Sequence, residues 1–235
     1  MIGVMKRIGI LGGSSDQATA DYYRRFNDAA RARFGGSNTA ELLISSMNFA
    51  FVTDCLRHER WQDMERYLCE RAAALEGAGA EILLCVSNTL HRVADSVSAA
   101  VGIPFVHIVD PTARAIQRAG LSCVALIGTR SMMSGEQPKL RYTQHFNIEV
   151  LVPEASEQDV IDRIIFDELC RGQFTAAARS TYLGIIDRLR TQGAQGVILG
   201  CTEIPLLLKQ SDRPDLPMLD TAGLHVEAAM QLAVA

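Results

Sequence analysis

Two short stretches carry the residue types that can do chemistry, and they look like copies of one another. The first is Leu84-Cys85-Val86-Ser87-Asn88-Thr89-Leu90-His91 and the second is Ile198-Leu199-Gly200-Cys201-Thr202-Glu203-Ile204-Pro205. Each follows an apolar run and turns polar where a helix can start. Ligands sit at such strand-to-helix junctions in open parallel sheets, because the free N–H groups and dipole of a helix N-terminus favour negative charge. A cysteine there is expected to have its thiol pKa lowered and to supply a thiolate at neutral pH. Cys201 meets that description, and Ser87 holds the matching place with a hydroxyl. Asn88, Thr89 and Thr202 are candidates to hold a carboxylate in the same N–H field. The plain alternative for Cys201 is a buried packing cysteine. The expected arrangement is a cleft between two related halves, with a thiol on one wall and a hydroxyl on the other.

The elements that must position these groups follow from the hydrophobic pattern. Short aliphatic runs alternate with longer amphipathic segments, the signature of a parallel sheet covered by helices. Strands are expected at Arg7–Leu11, Glu41–Ser46, Glu81–Val86 and Pro104–Val109, with helices at Thr19–Arg33, Asp63–Gly77, Thr89–Val101 and Pro111–Ala119. The pattern then restarts. Strands are expected at Ser122–Ile127, Ile148–Val152, Gly196–Leu199 and Leu216–Leu219, and helices at Gln158–Arg171, Ala176–Gln192 and Ala222–Ala233. Gly172 and Gly193 are the expected helix stops. Gly12 and Gly128, Ser87 and Cys201, and Pro104 and Pro217 recur in order at nearly one spacing. An α/β fold follows: two pseudo-symmetric domains, each a short parallel sheet flanked by helices. The expected division is residues 1–113 plus 220–235, with the last helix folding back, and residues 114–219.

Composition narrows the function classes. At 235 residues the chain is long enough to bury a proper core. Its 48% hydrophobic and 21% charged residues are globular composition rather than disorder. A formal net charge of -4 argues against a nucleic-acid partner, which usually needs a basic face. The stretch Met1–Gly13 is interrupted by Lys6-Arg7 and reads as a strand rather than a signal peptide. No run approaches the roughly 20 apolar residues of a membrane helix, so no membrane partner and a cytoplasmic location are expected. The 6 cysteines lack C-x-x-C pairs, which speaks against a zinc knuckle or a redox dithiol.

Gly-Cys-Thr-Glu-Ile at 200–204, Ser-Asn-Thr-Leu-His at 87–91 and Gly-Ile-Leu-Gly-Gly-Ser at 9–14 resemble the aspartate/glutamate racemase family. Gly-Gln-Phe at 172–174 and Val-Ala-Asp at 93–95 are similar to its broad-specificity L-aspartate/glutamate branch. The resemblance implies a homodimeric isomerase that acts on a small acidic amino acid, with no cofactor and no metal, at a site between its two domains. It also implies that two residues on opposite faces of the substrate α-carbon exchange its proton: here Cys201 as the competent base and Ser87 as a weak partner. An alkoxide of Ser87 is hard to form, since no base adjoins it in sequence. In better-known aspartate racemases an arginine and a lysine bind the distal carboxylate. The corresponding places here hold Asn48 and Cys170, neither cationic. Ser14 and Asn48 are the hydrogen-bond donors expected there, with Arg57, Arg130 or Arg171 as sources of charge. The same fold with one thiol also suits a decarboxylase or a maleate-type isomerase, or a weakly active homologue that binds amino acids.

Other residues have two readings each. Gly9-x-x-Gly12-Gly13 is not a dinucleotide fingerprint and is expected to be a tight loop. His91 is a proton carrier or a packing residue, and Glu203 either binds substrate, orients Cys201 or serves its helix as a first-turn acid. Asp110 and Asp220 recur after the matched prolines and are expected to cap helices. Arg57-His58-Glu59-Arg60, with Arg66, Glu70 and Arg71, reads as an exposed helical face beside Trp61.

Overall fold

A computed structural model describes the protein from Val4 to Ala235. The first three residues of the stretch Met1–Gly13 lie outside the described residues. Two compact units are formed, one running to Ile108 and including His225–Ala235, the other spanning Val109–Leu224.

The first unit contains β1 (Ile8–Gly12), α1 (Asp16–Phe34), β2 (Leu42–Ser46), α2 (Phe49–Arg57), α3 (Trp61–Gly77), β3 (Ile82–Cys85), a 3₁₀ turn at Thr89–Val93, α4 (Ala94–Ala99) and β4 (Phe105–Val106). Its sheet is parallel in the order β2-β1-β3-β4. Central strands covered on both faces read as continuous apolar runs, and β1 and β3 are buried at every position. β2 lies at the edge and exposes Ile44 and Ser46. Leu11, Met47, Val52, Met64, Leu68 and Leu83 form part of the core on one face.

The second unit repeats the plan. It contains α5 (Val109–Arg118), β5 (Cys123–Ile127), α6 (Arg130–Ser134), α7 (Gln137–Leu140) running into a π-turn at Arg141–His145, β6 (Glu149–Leu151), α8 (Ala155–Asp167), a 3₁₀ turn at Leu169–Arg171, α9 (Ala176–Thr191), β7 (Val197–Leu199), α10 (Ile204–Leu207), a 3₁₀ turn at Gln210–Asp212 and β8 (Met218–Asp220). The parallel order is β6-β5-β7-β8. The final helix α11 (Thr221–Ala233) starts in this unit, and its stretch from His225 belongs to the first. The two sheets have the same strand order, as the restarted hydrophobic pattern requires.

Several expected elements change for local reasons. The helix expected over Thr89–Val101 opens as a 3₁₀ turn and becomes α-helical only at Ala94. The fourth strand is two residues long, because beyond Val106 the backbone turns so that the Ile108 N–H reaches the His91 ring. Helix α2 was not legible in the periodicity; Asn48 starts it by accepting the Ala50 N–H at 3.0 Å. Residues 130–145 also carry unforeseen helical turns. Gly172 adopts φ 71° as it ends its 3₁₀ turn, and Gly193 adopts φ 110° just past α9.

Asp220 caps as expected, accepting the Gly223 N–H at 3.0 Å. Asp110 instead forms a two-pronged pair with Arg141 of the π-turn, at 2.6 and 2.8 Å. The charged face near Trp61 is mostly exposed, but the Arg71 guanidinium lies 4.1 Å from the Tyr67 ring centroid and bonds to Ser45. No described helix is long and apolar enough to cross a membrane.

Candidate active site

In a sheet ordered 2-1-3-4 the connections reverse direction between the first and third strands, and a crevice opens there at the carboxyl ends. The first unit has this switch point between β1 and β3, where Leu11 pairs with Cys85. The second has it between β5 and β7, where Ile127 pairs with Leu199. Ser87 and Cys201 each stand two residues beyond the last of these register pairs. The sequence similarity of the two stretches is therefore a similarity of backbone position.

In the first unit, three loops meet at the switch point. The Gly12 carbonyl accepts the Met47 N–H at 2.9 Å, and the Leu11 carbonyl accepts the Val86 N–H at 2.9 Å. Gly13 has φ 82°, and a Cβ there would overlap the Met47 backbone, so this position needs glycine on two counts. Ser14 donates its hydroxyl to the Val86 carbonyl. Ser15 caps α1 by accepting the Ala18 N–H at 3.0 Å. Ser14, Asn48, Ser87, Asn88 and Thr89 are thus placed on three connected loops. Ser14, expected as a donor to the distal carboxylate, instead gives its proton to the Val86 carbonyl and keeps its lone pairs for an external donor. Asn48 is exposed and spends its Oδ1 on α2. Asn88 and Thr89 are buried, at 6% and 8% exposure.

Ser87 Oγ accepts the Leu90 N–H at 3.3 Å. Among the described residues no carboxylate or ring nitrogen bonds to that hydroxyl, so it keeps a proton to give and lacks a base to take it. His91, the nearest base in sequence, is committed elsewhere. Its Nδ1 lies 2.6 Å from the Ser87 carbonyl and its Nε2 3.1 Å from the Ile108 N–H. A carbonyl can only accept and an N–H only donate, so these partners fix a neutral ring with the proton on Nδ1. His91 therefore anchors the Ser87 backbone. His107 and His225 pack against its ring, with centroids 4.6 and 5.8 Å away. His225, wholly buried, lies 3.0 Å from the Tyr22 hydroxyl and 2.8 Å from the Val106 carbonyl. This histidine cluster joins residues distant in sequence, and no spacing rule announces it.

In the second unit, the expected setting of Cys201 is overturned. Its thiol donates to Glu203 Oε2 at 2.9 Å, and Thr202 donates to the same oxygen at 3.0 Å. Burial raises the thiol well above its ordinary pKa, and the Glu203 charge raises it further. The helix that follows is only four residues long, so its dipole offers little against these two effects. Cys201 rests as a thiol with a proton acceptor in place. Cys170, noted in sequence only as a non-cation, brings its own thiol to within 3.7 Å of Glu203 Oε1. The Tyr182 ring of α9 is fully buried, and the charges of Cys201 and Glu203 contribute to raising its hydroxyl pKa, after burial itself. Cys170 and Tyr182 were not legible as site residues, since each comes from another element. Arg130 and Arg171 are exposed and paired with Asp159 and Asp167. No group of three or more His, Cys, Asp or Glu side chains among the described residues is arranged to hold a metal ion.

Known proteins share this architecture and length. A candidate Asp/Glu racemase from Yersinia pestis is 37% identical, covering 98% of this chain and 100% of that one with a TM-score of 0.89. An aspartate racemase homologue from Pyrococcus horikoshii OT3 is 35% identical over 98% and 100% of the two chains, with a TM-score of 0.84. The broad specificity amino-acid racemase RacX of Bacillus subtilis (strain 168) is 21% identical over 97% of this chain and 98% of that protein. The model of the Asp/Glu/hydantoin racemase family matches residues 8–229, and the chain belongs to that family.

Proposed function

We propose that the protein is a cofactor-independent racemase of acidic amino acids, aspartate or glutamate, that moves the α-proton between two side chains. The observation that carries this reading is the buried Cys201–Glu203 pair at a switch point. A thiol is a useful carbon base only once deprotonated, and Glu203 is positioned to take its proton. In the proposed cycle Glu203 accepts the Cys201 proton and the thiolate removes the α-hydrogen of one enantiomer. The carbanion then takes a proton from the Ser87 hydroxyl on its opposite face; the Ser87 alkoxide regains a proton from water, and the hydroxide so formed takes the proton that Glu203 had accepted, which returns all three groups to their starting states. Ser14, Asn48, Asn88, Thr89 and Thr202 are proposed to hold the substrate's polar groups. The protein is proposed to act as a cytoplasmic homodimer.

Two enantiomers have equal free energy, so a slow Ser87 depresses kcat/KM equally in both directions. Family membership and the relatives' named activities support racemisation over decarboxylation. The test is incubation of the purified protein with each enantiomer of aspartate and glutamate, followed by chiral separation. Slow formation of the opposite enantiomer, lost in Cys201→Ser, is expected. Absence of inversion with all four substrates would contradict the proposal.

A further inference from the structure

Cys170 and Cys201 share one carboxylate. Glu203 Oε2 accepts from the Cys201 thiol at 2.9 Å and the Thr202 hydroxyl at 3.0 Å, while Oε1 faces the Cys170 thiol at 3.7 Å. We propose that Cys170 is a positioning residue, which holds Oε1 of Glu203 so that Oε2 faces Cys201 and tunes how readily that carboxylate takes the Cys201 proton. The inference rests on the reading of Glu203 as proton acceptor.

Donors to a carboxylate stabilise its charged form and make it a poorer proton acceptor. A thiol is a weak donor, so it orients the group while lowering its basicity only modestly. Without Cys170 the carboxylate keeps Cys201 and Thr202 as donors to Oε2, but it is less well aimed and takes a proton more readily. The backbone keeps Cys170 in position. Leu169, fully buried, anchors the 3₁₀ turn, and Gly172 in the left-handed region ends it. Buried Tyr182 directs its own hydroxyl to the Ile161 carbonyl at 3.5 Å.

The test compares Cys170→Ala with Cys170→Val, since valine roughly keeps the volume while removing the donor. Iodoacetamide labelling of Cys201 at neutral pH is followed peptide by peptide by mass spectrometry. Both variants are expected to label Cys201 about fivefold faster than the parent, the scale of one modest hydrogen bond on an equilibrium. A rate for Cys170→Val equal to or below that of the parent would overturn the proposal. So would a parallel rise at Cys85, a buried thiol of the first unit, because it would mean the fold had opened. The readout is thiol reactivity and keeps its meaning even if no amino acid is racemised. Absence of inversion would count against the racemase, whereas unchanged labelling would count against Cys170 alone.

Discussion

Cys201 donates its thiol proton to Glu203 two residues along the chain, with both side chains buried. The carboxylate raises the thiol pKa and also offers the proton a destination. Glu203→Gln separates these effects. Without the negative charge, the pH midpoint for alkylation of Cys201 should move down toward the ordinary thiol value. Without a proton acceptor, racemisation should fall by about 100-fold, the lower end of general-base contributions. Thiol reactivity at neutral pH is expected to rise while racemisation falls, and unchanged racemisation would remove Glu203 from the mechanism.

His91 bridges the Ser87 carbonyl and the Ile108 N–H. His91→Ala removes that partner from both backbone groups and should cost about 1–3 kcal/mol. Urea denaturation measures the loss. Because the ring holds the Ser87 backbone rather than its hydroxyl, turnover by the folded fraction should fall through misplacement of Ser87, with labelling of Cys201 unaffected.

His225 gives the fold a sensitivity to acid. Burial is the chief cause that lowers its pKa from 6.5 to about 3. The unfolded chain therefore binds this proton below pH 6.5 while the folded chain does not. The contribution is fully present above pH 6.5 and is lost as pH falls from there toward about 3, at about 1.4 kcal/mol per pH unit. Denaturation at pH 7 and pH 4.5 should show a drop of about 3 kcal/mol from this group. His225→Asn, although less stable at both pH values, should show a shallower slope by one proton.

Much of the fold was legible because its signals are local. Ile8–Gly12 and Ile82–Cys85 are apolar throughout, as strands covered on both faces must be. The recurring Gly12/Gly128 and Ser87/Cys201 pairs marked the duplication and identified the loops beyond the strands. The chemistry was less legible. Cys201 reads in sequence as a thiol at a helix start, but its protonation depends on burial and on where the Glu203 side chain turns. Cys170, His107 and His225 reach their partners from separate elements, and no spacing encodes such meetings. Helix α2 was missed because its signal is one capping residue, Asn48, rather than a repeating stripe.

The most direct test of a competent Cys201 with a weak Ser87 is to incubate L-aspartate and L-glutamate with the protein in D₂O. Deuterium incorporation at the α-carbon is read by proton NMR and inversion by chiral chromatography on the same samples. The account predicts that the L-substrate gains deuterium faster than the D-enantiomer appears, because Cys201 returns solvent-derived deuterons to its own face while Ser87 delivers across the other only slowly. Inversion that keeps pace with exchange, or no exchange with either substrate, would contradict it.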